Sequence, residues 1–195
     1  MTELKFELKP FLTKKEAGRS GTVGDFGEVT LSYPRKKWSD TTETRIELRL
    51  HGESIPETTY RSHGRSQPTL KDPLLLLDGV TVDLDFNMRA FRARARALKL
   101  TYHERAYEYV VTRAKKVGTL RRAGAEITTT RAKNPTGKGF STFGSAAGEV
   151  DAIDLALAIV FDEVDTFDLT ALGATASALN RVRNLASSHD SASTD

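Results

Sequence analysis

Hydrophobic residues alternate with charged ones in short runs through the first two-thirds of the chain, and each run predicts a strand with one buried face. Leu4, Phe6 and Leu8 stand against Lys5, Glu7 and Lys9. Val29, Leu31 and Tyr33 lead up to Pro34, which cannot donate to a ladder and ends the run. Ile46, Leu48 and Leu50 alternate with Arg45, Glu47 and Arg49. The four leucines of residues 74–77 pass through Asp78-Gly79 into Val80, Val82, Leu84 and Phe86. Both positions of such a two-residue turn need positive φ, which Asp and Gly tolerate, so this segment predicts a hairpin. A second hairpin is predicted where Leu98, Leu100 and Tyr102 are mirrored by Tyr107, Tyr109 and Val111 across a four-residue loop, 103–106. Leu120 and Ile127 flank a third around Arg121-Arg122-Ala123-Gly124.

Between these runs, residues 13–27 hold Gly18, Gly21, Gly24 and Gly27 and read as a mobile loop, and residues 132–148 read as a second glycine-rich loop. Residues 51–73 are polar and predict a loop with a short strand near Thr58-Thr59-Tyr60. Residues 88–102 have two readings. As a strand, Phe91, Ala93, Ala95 and Ala97 oppose Arg92, Arg94 and Arg96, with a bulge near Ala97; as a helix, Phe91, Ala95, Leu98 and Tyr102 form one stripe. The hairpin that follows favours the strand.

Past residue 149 the period changes. Val150, Ile153, Leu157, Val160 or Phe161, and Val164 follow helical spacing, while Ala152, Leu155, Ala156 and Ile159 make the other faces apolar. A helix hydrophobic nearly all round belongs inside a core. Asp162, Glu163 and Asp165 sit at its C-terminal end, where the helix dipole disfavours them, and call for a basic neighbour or water. A second, amphipathic helix is predicted from an Asp168 N-cap, burying Leu169, Leu172, Ala176, Leu179 and Val182, and residues 187–195 read as a disordered tail.

The predicted fold is therefore α+β, mainly β, in a single domain over residues 1–186. An antiparallel meander of about 8–10 strands forms a curved sheet or barrel, followed by a buried hydrophobic helix and the second helix. Leu100-Thr101-Tyr102 through Tyr107-Glu108-Tyr109, the hairpin from Leu120 to Ile127, and the helix from Ala152 to Phe161 together resemble the layout of the tubby-like and LURP-one-related proteins. That resemblance implies a β-barrel around a central helix, and no lipid-binding role is taken from it.

The 195 residues include no cysteine, which excludes a disulfide framework and any Cys-based zinc or redox site. His51, His63, His103 and His189 share no metal-ligand spacing, so neither a metal nor a cofactor is expected. The N-terminus alternates apolar and charged residues without a signal-peptide h-region, and the apolar run 152–161 is interrupted by Asp154 and falls short of the ~20 residues that span a bilayer. A cytoplasmic protein without a membrane span is the expectation.

The formal net charge of +3 conceals a segregation. Between residues 87 and 133, thirteen Lys and Arg face only Glu104, Glu108 and Glu126, a balance of +10. Residues 149–170 hold seven acids and no base, a balance of −7. The basic block reads either as a polyanion-binding surface or as the partner of the acidic segment within one molecule. The leading expectation is a non-enzymatic binding protein whose basic β-face, with Arg92, Arg94, Arg96, Lys115, Lys116 and Lys138, engages an acidic protein surface or a second copy of the chain. The alternative is a nucleic-acid-binding protein contacting phosphates through residues 89–122.

An enzyme of unknown class is a further alternative, for which His51 and His63, near Glu53, Glu57 and Ser62, are the acid–base candidates. No G-x-S-x-G is present, and the loop Asn134-Pro135-Thr136-Gly137-Lys138-Gly139-Phe140-Ser141-Thr142 misses the P-loop pattern because Gly139 follows Lys138. Tyr102, Tyr107 and Tyr109 lie among bases as a stacking platform would require, but the predicted hairpin puts them on the face of Leu98 and Leu100, in the core.

Overall fold

The computed structural model describes residues 4–35, 42–86, 97–112, 117–133 and 139–170. Its strands are β1 (Leu4–Leu12), β2 (Glu16–Thr22), β3 (Glu28–Pro34), β4 (Thr44–Gly52), β5 (Thr58–Gly64), β6 (Lys71–Leu77) and β7 (Val80–Asp85) in the first half. They continue as β8 (Leu98–Tyr102), β9 (Arg105–Thr112), β10 (Val117–Arg122), β11 (Ala125–Lys133) and β12 (Phe140–Gly148), and α1 (Ala152–Glu163) follows. Every strand pairs antiparallel with its neighbours in sequence, and β1 also pairs with β12, so the twelve strands close into a barrel. Closure gives each described strand a partner strand on both sides. β1 turns the corner between two halves of the wall: residues 4–8 pair with β12 and residues 9–12 with β2. β7 does the same on the other side, pairing with β6 through residues 80–82 and with β8 through residues 83–85.

Twelve strands exceed the predicted 8–10 in part because each segment read as a glycine-rich loop contains a strand, β2 in the first and β12 in the second. Gly18 and Gly21 lie in β2, where an added Cβ would stand 2.0 Å from the Leu31 carbonyl oxygen and 2.2 Å from that of Glu7. In β12, a Cβ on Gly144 would stand 2.0 Å from Cζ of Phe6, whose ring occupies the space left by the missing side chain. Glycine here permits close approach across a ladder. Residues 51–73 likewise hold strand: His51 and Gly52 belong to β4, β5 spans Thr58–Gly64 and β6 begins at Lys71.

The predicted hairpins form. Asp78 and Gly79 turn with φ of 46° and 79°, and Leu120 pairs with Ile127 in register. The hairpin of β8 and β9 turns more tightly than the pattern predicts, through His103 (φ 51°) and Glu104 alone, and pairs Leu98 with Tyr109 and Leu100 with Tyr107. This moves the expected register by two residues, which leaves every side chain on its predicted face. Tyr102, Tyr107 and Tyr109 are accordingly buried.

α1 runs inside the barrel, chiefly against β10 and β11. Residues 155–161 are all buried, and the Phe161 ring meets Tyr60 from β5 and Tyr109 from β9, with centroids 5.9 and 5.4 Å away. Leu8, Leu31, Leu48, Leu75, Leu98 and Ile127 complete the shell. Each of these fully buried side chains contributes about 1.5–3 kcal/mol. A single 3-10 turn, Phe167–Leu169, stands where the second helix is predicted to start, and residues 171–195, which carry the rest of that helix and the tail, lie outside the described residues.

Candidate functional site

In an uninterrupted antiparallel meander, successive connections alternate between the two ends of the barrel. Those after β1, β3, β5, β7, β9 and β11 leave from one end, and those after β2, β4, β6, β8, β10 and β12 from the other. α1 therefore starts at the second end and points its C-terminus at the first.

At its N-terminus, Asp151 caps α1 by accepting from the Ile153 and Asp154 amides, and the Asp154 carboxylate accepts from the Asp151 amide in return at 3.0 Å. This reciprocal pair satisfies amides that the first turn leaves open. Asp154, only 1% exposed, is held by Arg122 through Nε at 2.7 Å and Nη2 at 2.8 Å, and Arg122 also donates to the Glu149 carbonyl. Arg105 donates to Asp151. Partial burial opposes the Asp151 charge, but the Asp154 amide and Arg105 outweigh it and hold the carboxyl below the usual range.

At the C-terminus, Glu163 Oε2 accepts from Arg19 Nε at 2.7 Å and from Arg131 Nη2 at 3.0 Å, while its Oε1 accepts from the Tyr33 hydroxyl at 2.9 Å. Asp162 accepts from Thr142 at 2.6 Å and from Arg131 Nε at 3.2 Å. Two guanidiniums thus offset two carboxylates at the end where the dipole alone would repel them. Burial pulls the Arg131 pKa down, but Glu163 and Asp162 overcome it and raise it above its ordinary value. The Tyr33 phenol is pushed up, first by burial and then by Glu163. Beside this cluster lies a pocket of about 50 Å³, lined by Tyr109, Gly118, Arg131, Asp162 and Asp165 among others. It is far smaller than the ~300 Å³ of a small organic-ligand site.

The acidic helix ends therefore meet Arg105, Arg122 and Arg131 of the basic block inside one molecule, with Arg19 added from β2. On the outer wall, register places Asp85, Lys99, Glu108, Arg121 and Glu126 side by side across β7 to β11, alternating in sign. Arg121 reaches Glu126 at 2.6 Å. The site residues expected from sequence, Arg92, Arg94, Arg96, Lys115, Lys116 and Lys138, lie outside the described residues.

The ends differ in sign. At the first, the described parts of the connections carry exposed Lys14, Lys15, Arg35 and Arg65 against Glu43. Arg35 donates to the Thr13 carbonyl, which draws the first two of these connections together. At the second end the connections carry Asp25, Glu53, Glu57, Asp78, Glu104, Glu149 and Asp151 and no Lys or Arg, and all of them are described.

His51 and His63 are not brought together. His51 is the penultimate residue of β4, next to Gly52 at the acidic end, whereas His63 lies near the basic end, opposite Arg45 and with its Nδ1 3.4 Å from Asp72. Ser62 is buried and accepts from the Thr69 amide. Among the described residues no group of three His, Asp or Glu is gathered as for a metal ion, and no helix is long and apolar enough to cross a membrane.

Arg19 escapes the sequence reading because it sits in a segment taken for a loop, and Tyr33 and Thr142 are read there as a strand residue and a loop residue with no sign of their carboxylate partners. Arg131 leaves a legible signal, a charge in the inward phase of Ile127 and Thr129. No family model matches the chain, and no curated protein or solved structure matches it.

Proposed function

We propose that the protein is a binding module of the cytoplasm that engages an acidic protein surface through the basic end of its barrel. The observation that carries this reading is the sorting of charge by end among the described residues: the connections at one end expose Lys14, Lys15, Arg35 and Arg65 against Glu43, and the charged residues of those at the other are all acidic. Cations gathered on one surface steer an acidic partner and release counterions when they meet it. Arg105, Arg122 and Arg131 of the basic block are engaged by acidic residues at the two ends of α1, whereas Lys14, Lys15, Arg35 and Arg65 at the basic end stand exposed. The closed antiparallel barrel with an apolar helix inside also supports the likeness to the tubby-like layout, as a reading of the fold alone.

The test is binding of a fluorescent oligoglutamate peptide, read by anisotropy, beside duplex DNA of equal charge. Saturable peptide binding that weakens with salt and tightens over DNA supports the reading. DNA bound more tightly, with a steeper loss of log K against log salt, replaces it with the nucleic-acid alternative.

A further inference from the structure

Two large apolar side chains stand exposed at the basic end: Leu12 at the end of β1 is 64% exposed and Phe140 at the start of β12 is 55% exposed. Both continue the inward phase of their strands, Leu12 following Phe6 and Leu8, and Phe140 preceding Thr142, so they sit at the barrel's rim. Exposed Lys14, Lys15 and Lys133 adjoin them in sequence or register. An apolar centre with a charged border is the anatomy of a docking surface. The acidic end presents the converse: Val80, 44% exposed, leaves the Asp78-Gly79 turn, which is tied to Glu57 by paired hydrogen bonds at 2.8 and 2.9 Å.

We infer that the basic end docks the acidic end of a second copy of this chain, head to tail. This rests on the binding role proposed above and names its partner. A two-fold dimer through either end would set like charges against each other, whereas the heterologous arrangement matches opposite signs and buries the rim residues of one copy near Val80 of the next. Because such a contact uses a different surface on each copy, it leaves one free end of each sign and propagates beyond two chains. Its charges are at exposed positions, so the association is weak and salt-sensitive, within the reach of a Debye length of about 8 Å at physiological ionic strength.

The test is sedimentation velocity of the intact chain over a range of concentrations, in about 25 mM and about 300 mM NaCl. The expected result is a weight-average mass that rises past the dimer with concentration at low salt and falls to the monomer at high salt. The acidic-end triple variant Asp25→Lys/Glu57→Lys/Glu104→Lys, whose positions are exposed turns, is expected to weaken self-association at least about tenfold while still binding oligoglutamate. The pair Leu12→Ser/Phe140→Ser is expected to weaken it comparably with circular dichroism unchanged. A chain that stays monomeric at low salt, a dimer that does not grow, or an acidic-end variant that associates as the wild type does would overturn the inference. Oligoglutamate binding by a strictly monomeric chain defeats this inference alone, and absence of both defeats the proposed function as well.

Discussion

Arg19 Nε stands 2.7 Å from Glu163 Oε2 across 144 residues of sequence, with their side chains 11% and 5% exposed. The contact ties the second strand of the barrel to the last residue of the helix inside it. Glu163 keeps Arg131 and Tyr33 when Arg19 is removed, whereas Glu163→Ala leaves Arg19 buried without its carboxylate, so Glu163→Ala is expected to cost about 3–5 kcal/mol in urea unfolding and Arg19→Ala less. The double variant Arg19→Met/Glu163→Leu is expected to cost less than the two singles together. Single losses under about 1 kcal/mol would show that the pair does not hold the helix.

At the other end of α1, Asp151→Ala removes the cap and the Arg105 contact, for an expected loss of about 1–2 kcal/mol. The folded-state pKa of Asp151 is depressed, so its contribution is present above the ordinary carboxylate range and is lost as pH falls through the folded value. Urea midpoints of variant and wild type should therefore differ at pH 7 and converge in acid. A gap that is constant with pH would remove the charge of Asp151 from the account.

Tyr33, Tyr60, Tyr107 and Tyr109 all have phenols raised above their ordinary value of 10.0, with burial the first cause in each. A raised pKa means stability that is complete below the unfolded value and declines as pH rises above it. Phenolate absorbance should accordingly lag behind free tyrosine and appear together with loss of the circular dichroism signal. Ionisation of all phenols near pH 10 in the folded protein would contradict their burial around α1.

The Phe6 ring over Gly144 is a packing relationship that a double variant can isolate. Gly144→Ala is expected to destabilise by about 1–3 kcal/mol, and Phe6→Leu to relieve part of that loss. Gly18→Ala, whose added Cβ meets the Leu31 carbonyl oxygen at 2.0 Å, is blocked first by backbone, so trimming the neighbouring Phe11 ring with Phe11→Leu should give no comparable rescue. Equal rescue at both positions would refute the distinction.

How far the sequence reaches follows from these same residues. Alternation places Leu4 to Leu8, Val29 to Tyr33, Ile46 to Leu50 and the Asp78-Gly79 hairpin, because period two and turn chemistry are local properties. The helix 152–163 is legible from its apolar faces, and its burial follows from the lack of any polar one. β2 and β12 are not legible, since Gly18, Gly21 and Gly144 act through contacts with Leu31, Glu7 and Phe6 that no local window contains. The same holds for the ion pairs. Opposed +10 and −7 blocks announce that charges could meet, but only closure of the barrel determines that Arg131 reaches Glu163 while Arg121 remains on the wall with Glu126. The opposition of the two ends emerges only once twelve strands are counted, because strand number decides which connections share an end.

The most direct test of that opposition compares oligoglutamate binding by the wild type with two triple charge reversals of equal net change, Lys14→Glu/Lys15→Glu/Arg35→Glu at the basic end and Lys9→Glu/Lys99→Glu/Arg121→Glu on the wall, at one low salt concentration. The end reversal should lower affinity at least about tenfold, and the wall reversal should leave it within about twofold. Equal losses from both would contradict the account, because the partner would then be reading net charge and not the end of the barrel.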